Sequence, residues 1–431
     1  MKRSVVVVCL LAMLIPILAR ADEAPAPPAS EPDFKKLYEE QKKRNDELER
    51  RLSLVEQRST QDLYVAKEKV PEGTIKFLQQ TELSGFVSAS YFYDFNRPQS
   101  GEITGRGFDV HHDEFMANKF DLVLDKSVDY DAFEWKAGYK AELIFGQDAE
   151  FTQAGGLSLG DEGDLFVADV QVNVPIGNGL KVVFGKYQTV MGYEWSETEL
   201  NANWSGGNQW TVLEPFTHTG LLMAYKWNNE WETQVLVNNG WDIVKDNNHS
   251  KSFMGIVTYT PNDNTSINLT GFGGPEQEDN DSNWRKGVDL VVTRKLTPKL
   301  AAAVQIDYGQ EDGAKVIGSD VNGDPIVSGD AQWWAAGLWL TYDFSEKLQA
   351  ALRTDYLNDI NGARTSEAPA LAPFPTNTGQ ELYSVTMTLN YKPLKEVRIS
   401  PEFRWDYSTF DTAFDGHDSQ FTAGFGAAYF Y

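Results

Sequence analysis

Between Tyr383 and Tyr391 the chain alternates without a break. Tyr383, Val385, Met387, Leu389 and Tyr391 are apolar or aromatic, and Ser384, Thr386, Thr388 and Asn390 between them are polar. A period of two belongs to a β-strand with one oily face and one wet face. At about 3.3 Å per residue and a tilt of about 40°, this span rises roughly 20 Å, close to the ~25 Å apolar band of an outer-membrane barrel. The same pattern returns from about Thr81 onward. It predicts sixteen strands, near 81–95, 115–126, 131–146, 165–175, 180–190, 218–227, 231–240, 251–260, 265–273, 284–296, 300–310, 331–344, 348–358, 382–392, 397–408 and 418–431.

The connections sort by parity. Short ones carry turn formers, among them Asp129-Tyr130, Gly177-Asn178-Gly179, Asn228-Asn229, Thr297-Pro298 and Pro393-Leu394. Long polar loops alternate with them, including 97–112, 147–164, 191–217, 310–330 and 359–381. Short turns at one end and long loops at the other are what an outer-membrane barrel requires, and an even strand count lets the last strand close on the first. The expected fold is an all-β, transmembrane, antiparallel up-and-down β-barrel of about sixteen strands over residues 75–431.

Facing follows from alternation. In 397–407 the charges Arg398, Glu402, Arg404 and Asp406 share one face, opposite Val397, Ile399, Phe403, Trp405 and Tyr407. In 133–145, Glu134, Lys136, Lys140 and Glu142 lie opposite Phe133, Trp135, Tyr139, Leu143 and Phe145. Charges would cost about 2–4 kcal/mol each at the bilayer midplane, so these faces must line water. Asp307, Arg353 and Asp355 join them as lumen-lining candidates. Sixteen strands enclose more volume than side chains fill, which predicts an aqueous channel.

The N-terminal segments supply an address. Met1-Lys2-Arg3, the apolar run Val5–Leu18 and Ala19-Arg20-Ala21 predict a secretory signal peptide over 1–21. A Pro-rich spacer over 22–33 follows. A periplasmic helix over 34–60 then places Phe34, Tyr38, Leu48, Leu52 and Val55 on heptad positions, with Gln41 and Asn45 on the seam, the pattern of a short coiled coil. The sole cysteine, Cys9, lies within the signal, which leaves no thiol for catalysis or disulfide bonding after cleavage.

Composition changes the picture at two points. Mean hydropathy is only −0.42, as expected of strands whose two faces cancel in any average. The formal charge is −25, and loss of Lys2, Arg3 and Arg20 with the signal takes it to −28, which excludes nucleic acid as a partner.

The third long loop, Met191–Thr217, is the candidate pore constriction. It carries Glu194, Trp195, Glu197, Glu199, Trp204, Trp210 and Glu214 and no Lys or Arg. Unpaired carboxylates in a narrow passage would concentrate cations, and the mixed lumen, with Lys119, Lys136, Lys140, Arg285, Arg353, Arg398 and Arg404, tempers this to a weak preference. No cofactor motif is present. Asp320-x-Asn322-Gly323-Asp324 lacks the downstream Glu of a calcium loop, and His111-His112-Asp113-Glu114 alternates across an extended segment.

The stretches SGFVSASYFYDFNRP, VVFGKYQTVMGYEW and GLLMAYKWNNEWETQVLVNNGWD resemble those of the OmpL-like β-barrel porins. That resemblance implies passive diffusion of small hydrophilic solutes across the bacterial outer membrane and brings no catalytic residues. The expected partners are outer-membrane lipid and lipopolysaccharide, the barrel-assembly machinery through the aromatic C-terminal strand ending in Tyr431, and further copies of the chain, a trimer by analogy. Two other functions stay open. One is a solute-specific channel, with Trp333 and Trp339 as platforms for sugars; the other is an outer-membrane enzyme, although His111, His112, His218, His249 and His417 show no triad spacing.

Overall fold

The computed structural model describes residues 42–43, 72–130, 133–319, 325–367 and 379–431. The signal peptide, the spacer, the heptad helix apart from Lys42 and Lys43, and the 320–324 motif lie outside the described residues. A helix, Glu72–Gln80, precedes the first strand, which begins at Glu82. Its Phe77 stacks on Tyr139 at 6.0 Å.

The strands are β1 Glu82–Asp94, β2 Glu114–Lys126, β3 Lys136–Phe145, β4 Gly163–Val174, β5 Leu180–Gln188, β6 Thr217–Lys226, β7 Trp231–Asn238, β8 Ser252–Asn262, β9 Thr265–Pro275, β10 Trp284–Lys295 and β11 Leu300–Glu311. After them come the short β12 Val316–Ser319 and β13 Pro325–Val327, then β14 Ala331–Ser345, β15 Leu348–Asp359, β16 Gln380–Leu394, β17 Val397–Ser408 and β18 Ser419–Phe430. Sixteen of them form one closed antiparallel barrel, each paired with the next barrel strand along the chain, β11 with β14 across the β12–β13 insertion, and β1 with β18. The strands β12 and β13 form a separate hairpin within the sixth long loop, which the polar sequence there did not predict.

Closure is explicit in the hydrogen bonds. Registers run from Phe86 opposite Phe430 to Asp94 opposite Thr422, and Tyr431 donates its amide to the Gly85 carbonyl at 3.1 Å. Its hydroxyl donates to the Asp121 carbonyl at 2.5 Å, so the terminal side chain reaches across β1 to β2. In hydrocarbon every backbone group needs a protein partner, and a closed ladder is the way strands supply one. The tight turns meet the same demand locally: Gly177 and Gly179 take φ of +59° and +94°, a region that glycine enters without penalty.

Alternation maps onto the wall as expected. In β16, Tyr383, Val385, Met387, Leu389 and Tyr391 are exposed, and Ser384, Thr386, Thr388 and Asn390 are buried. Aromatic rings mark both rims. Tyr225–Trp227, Trp231–Tyr259 and Tyr342–Phe344 pair near the short turns, at 4.8, 4.3 and 4.9 Å. Trp334, Tyr356, Tyr383 and Tyr407 run as a chain of ring contacts near the long loops. Amphipathic rings at two levels are the girdles of a membrane-spanning barrel.

The lipid-facing assignment of β16 generates a test. Met387→Arg should destabilise the barrel by about 2–4 kcal/mol in urea titrations in lipid vesicles, whereas Gln234→Arg, inside the lumen, should leave stability within about 1 kcal/mol. Equal effects at the two positions would invert the facing.

Candidate functional site

The inner wall of β15, β16 and β17 is built from residues two apart, and the strand register sets them in rungs. Asp355, Ser384 and Asp406 are aligned; Arg353, Thr386 and Arg404 form the next rung; Ala351, Thr388 and Glu402 form the third. Adjacent rungs of opposite charge satisfy one another: Arg404 Nε donates to Asp406 Oδ1 at 2.8 Å, and Arg353 Nε lies 3.4 Å from Asp355 Oδ2. These groups are almost fully buried in a lumen that should hold water. What covers them is the third long loop, residues 189–216.

This loop touches β1, β2, β11, β14, β15, β16 and β17, which only a segment running inside the barrel can do. Ser88 and Lys119 bind Glu199, at 2.6 and 3.2 Å. On the opposite side Glu402 accepts hydrogen bonds from the Trp204 amide at 2.6 Å, the Ser205 amide at 3.1 Å and the Thr388 hydroxyl at 2.7 Å. Arg353 donates to the Ser205 carbonyl and to Glu194, at 2.5 and 2.8 Å. Arg404 donates to the Gly206 carbonyl and to Asn208, at 2.5 and 2.7 Å. The arginines thus hold loop carbonyls while Glu402 holds loop amides. A wall carrying both signs can satisfy both kinds of backbone group in a segment without a ladder of its own.

Apolar anchors complete the attachment. Trp210 packs among Phe108, Phe151 and Phe216, with ring centroids 4.8 to 6.2 Å away. Trp204 lies over Gly426 of β18, where a methyl group would come within 2.1 Å of the indole. Gly426 is thus required by the close approach of the ring. The connections between β1 and β2 and between β15 and β16 also reach inward: Arg106 pairs with Asp109 at 3.0 Å and approaches Asp406 at 3.5 Å, and Arg364 donates to the Val212 carbonyl at 2.9 Å.

The candidate carboxylates divide into two groups. Glu194 is paired with Arg353 and Glu199 with Lys119, contrary to the expectation of unpaired acids. The other two lack a basic partner within salt-bridge distance. Burial pushes Glu197 up to about 7, helped by the neighbouring Glu142 charge, and pushes Glu214 well above the carboxylate range, helped by Asp307 and Asp289. Gln305 bridges that second cluster, donating to Glu214 at 2.6 Å and to Asp289 at 2.9 Å.

Other candidates are placed differently from expectation. Glu134 precedes β3 and pairs at 2.5 Å with Lys136 at the exposed rim, so these two are not deep lumen groups; the β2–β3 connection consumes more of the chain than a two-residue turn. Lys140 and Glu142 do form an inner pair, at 2.8 Å. Arg398 binds the Asn201 carbonyl at 2.8 Å. Trp333 and Trp339 are buried, the latter donating to Glu194 at 3.1 Å, because loop 3 and its neighbours cover the rings. Their faces are not free for a solute. Trp195, by contrast, is 55% exposed.

Sequence reasoning missed Ser88, Gln209, Gln305, Thr388 and Arg106 as partners of the inner network. The one signal available was the apolar pair Phe108 and Val110 in an otherwise polar loop, which marks a segment that turns inward. Among the described residues no group of three or more His, Cys, Asp or Glu forms a metal site.

Removing the Glu402 anchor should free the loop. Glu402→Ala leaves the buried Trp204 and Ser205 amides unsatisfied at about 1–3 kcal/mol each, and hydrogen exchange at these amides should accelerate at least tenfold while barrel strands stay protected. Unchanged exchange would show that the aromatic anchors alone hold the loop.

Comparisons with known proteins agree with this architecture. The outer-membrane channel DcaP of Acinetobacter baumannii is 14% identical, with a TM-score of 0.53 over 81% of this chain and 97% of that one. OmpF of Salmonella typhi, solved in complex with daunomycin, is 9% identical with a TM-score of 0.56 over 81% and 97%. The trimer form of OmpT from Vibrio cholerae is 12% identical with a TM-score of 0.50 over 81% and 99%. At these identities the likeness shows the fold alone. No curated protein sequence matches the chain. Residues 80–431 match the family described as "Putative beta-barrel porin-2, OmpL-like", a span that covers the whole barrel. The chain therefore belongs to this OmpL-like family of outer-membrane β-barrel porins, which points to a channel rather than an enzyme.

Proposed function

We propose that the protein is a passive diffusion channel for small hydrophilic solutes and ions, narrowed by loop 3 and weakly cation-preferring. The observation that carries this reading is the position of loop 3. It crosses the lumen and leaves open space on its short-turn side, with one cavity of about 490 Å³ between Lys140, Asp169 and Trp195 and another of about 320 Å³ between Trp195, Asn390 and Arg398. In this orientation the short turns, the start of β1 at Glu82 and the end of β18 at Phe430 would face the periplasm, as in outer-membrane barrels generally.

Charge selectivity follows from which groups are neutralised. Arg353, Arg404 and Lys119 are engaged with loop carbonyls and carboxylates, and Glu194 and Glu199 are matched by them. The surplus sits on Glu197 and on Glu214 with Asp289 and Asp307. A few uncompensated acids favour cations modestly. Glu194, Trp195, Glu197, Glu199, Trp204, Trp210 and Glu214 would shape the constriction, with Lys140, Glu142, Asp307, Arg353, Asp355, Arg398, Glu402, Arg404 and Asp406 as the wall around it.

A trimer is the proposed assembly; OmpT, of similar fold, is known in a trimer form. The heptad segment 34–60 would contribute to it, Tyr431 would present the last strand to the assembly machinery, and acidic loops would meet lipopolysaccharide through divalent ions. Deleting Phe34–Ser59 should weaken detergent-resistant oligomers on gels; persistence would reduce that segment to a spacer.

The selectivity is testable in planar bilayers under a KCl gradient. Glu197 is neutral below about 7 and ionises as pH rises through that value. A cation-favouring reversal potential should therefore grow between pH 6 and 8, where an ordinary carboxylate is already fully charged, and Glu197→Gln should flatten the change. By the same sign, the contribution of Glu197 alone to the stability of the loop attachment is fully present below the ordinary carboxylate range and is lost as pH rises through about 7. A pH-independent or chloride-favouring potential would refute the assignment.

A further inference from the structure

Trp195 stands apart from the rest of the loop. Its neighbours Glu194 and Ser196 are buried, yet its indole is exposed inside the barrel and borders both cavities. No other ring stacks on it among the described residues. The backbone beneath it is fixed in both directions by one side chain: the Trp195 amide donates to Asn201 Oδ1 at 2.9 Å, and Asn201 Nδ2 donates back to the Trp195 carbonyl at 2.8 Å. Tyr193, two residues earlier, is also held, its amide donating to Gln305 at 3.0 Å and its ring 4.9 Å from Trp339. A rigid backbone presenting a large apolar face to water is a surface prepared for a ligand, because no reordering is needed when one arrives.

The surroundings restrict what that ligand is. The larger cavity holds two bases, Lys140 and Lys181, and two acids, Asp169 and Glu194; Lys140 and Glu194 are already paired with Glu142 and Arg353, which leaves Lys181 and Asp169 in balance. Its remaining polar lining is rich in amides, with Gln171, Gln188, Gln234 and Asn268, and the smaller cavity adds Asn201, Gln349 and Asn390 beside Glu194, Lys392 and Arg398, the last already bound to the Asn201 carbonyl. Amides both donate and accept, and so match hydroxyl groups, which do the same. An apolar ring face with a surround of amides suits a solute that has one oily face and a hydroxylated edge.

We propose that Trp195 is the stacking platform of a solute subsite for a neutral hydroxylated ring, a mono- or disaccharide, between the two cavities. The subsite deepens the diffusion-channel reading and rests on it. A solute entering either cavity would lay its C–H face on the indole and exchange water for the amides. Trp333 and Trp339 cannot serve this way because their rings are covered.

The test uses the full-length protein in planar bilayers, with glucose and maltose titrated from the short-turn side. The open current should fall in a saturable way with sugar concentration. Trp195→Ala should raise the half-blocking concentration about tenfold and Trp195→Phe by less than about threefold, with no change in heat-modifiable gel mobility. A current that falls only in proportion to solution viscosity, or equal block in wild type and Trp195→Ala, would overturn the subsite while leaving the channel intact. A silent wild-type protein would instead refute the channel reading. Calorimetric titration of maltose into the folded barrel in detergent then decides the subsite: binding abolished by Trp195→Ala supports it, and absence of wild-type binding overturns it.

Discussion

In a bilayer, a strand edge with unpaired amides and carbonyls is untenable, and the rest of this structure depends on that constraint. Pairing β1 with β18 removes both edges at once. Closure then fixes the radius, and the radius of sixteen strands exceeds what side chains can fill. The lumen must therefore hold water, or chain, or both. Here loop 3 crosses it and leaves cavities open beside the loop, and the division between chain and open space is what the inward-facing groups govern.

Loop 3 faces the same accounting as the wall without its geometry. A segment crossing the lumen has no neighbouring strand to pair with, so its backbone groups must find side chains or solvent. The rungs on β15, β16 and β17 meet this need with alternating charge: Glu402 for amides, Arg353 and Arg404 for carbonyls. Because the alternation is written along single strands, as Glu402-x-Arg404-x-Asp406 and Arg353-x-Asp355, the register of the barrel also positions the loop.

The wall was legible in the sequence because its constraint is local and periodic. Alternation in 383–391 and 397–407 states which side chain faces lipid, and the structure places those residues accordingly. The parity of short and long connections carried the topology. The interior was legible only in part. Arg353, Arg398, Glu402, Arg404 and Asp406 could be assigned to the lumen, but that they bind loop backbone depends on contacts nearly 150 to 200 residues apart in sequence, as between Arg353 and Ser205 or Arg404 and Gly206. Trp333, Trp339 and Trp195 illustrate the same limit. All three are inward or loop tryptophans by pattern, and only the path of the loop decides which are covered.

That path also separates two uses of charge that composition merges. A charge that pins the loop is matched by its partner and contributes little to the field felt by a passing ion, whereas an unmatched one acts on the whole passage. Counting acids on loop 3 therefore overstates the unmatched charge, because Glu194 and Glu199 belong to the first class and Glu197 and Glu214 to the second. The unmatched groups are also the ones that burial inclines toward the neutral form. On the channel reading proposed above, a barrel that buries its surplus acids beside its loop anchors would link charge preference to pH through the same few carboxylates, and uncharged contacts such as Trp195 would be left to discriminate among solutes that carry no charge.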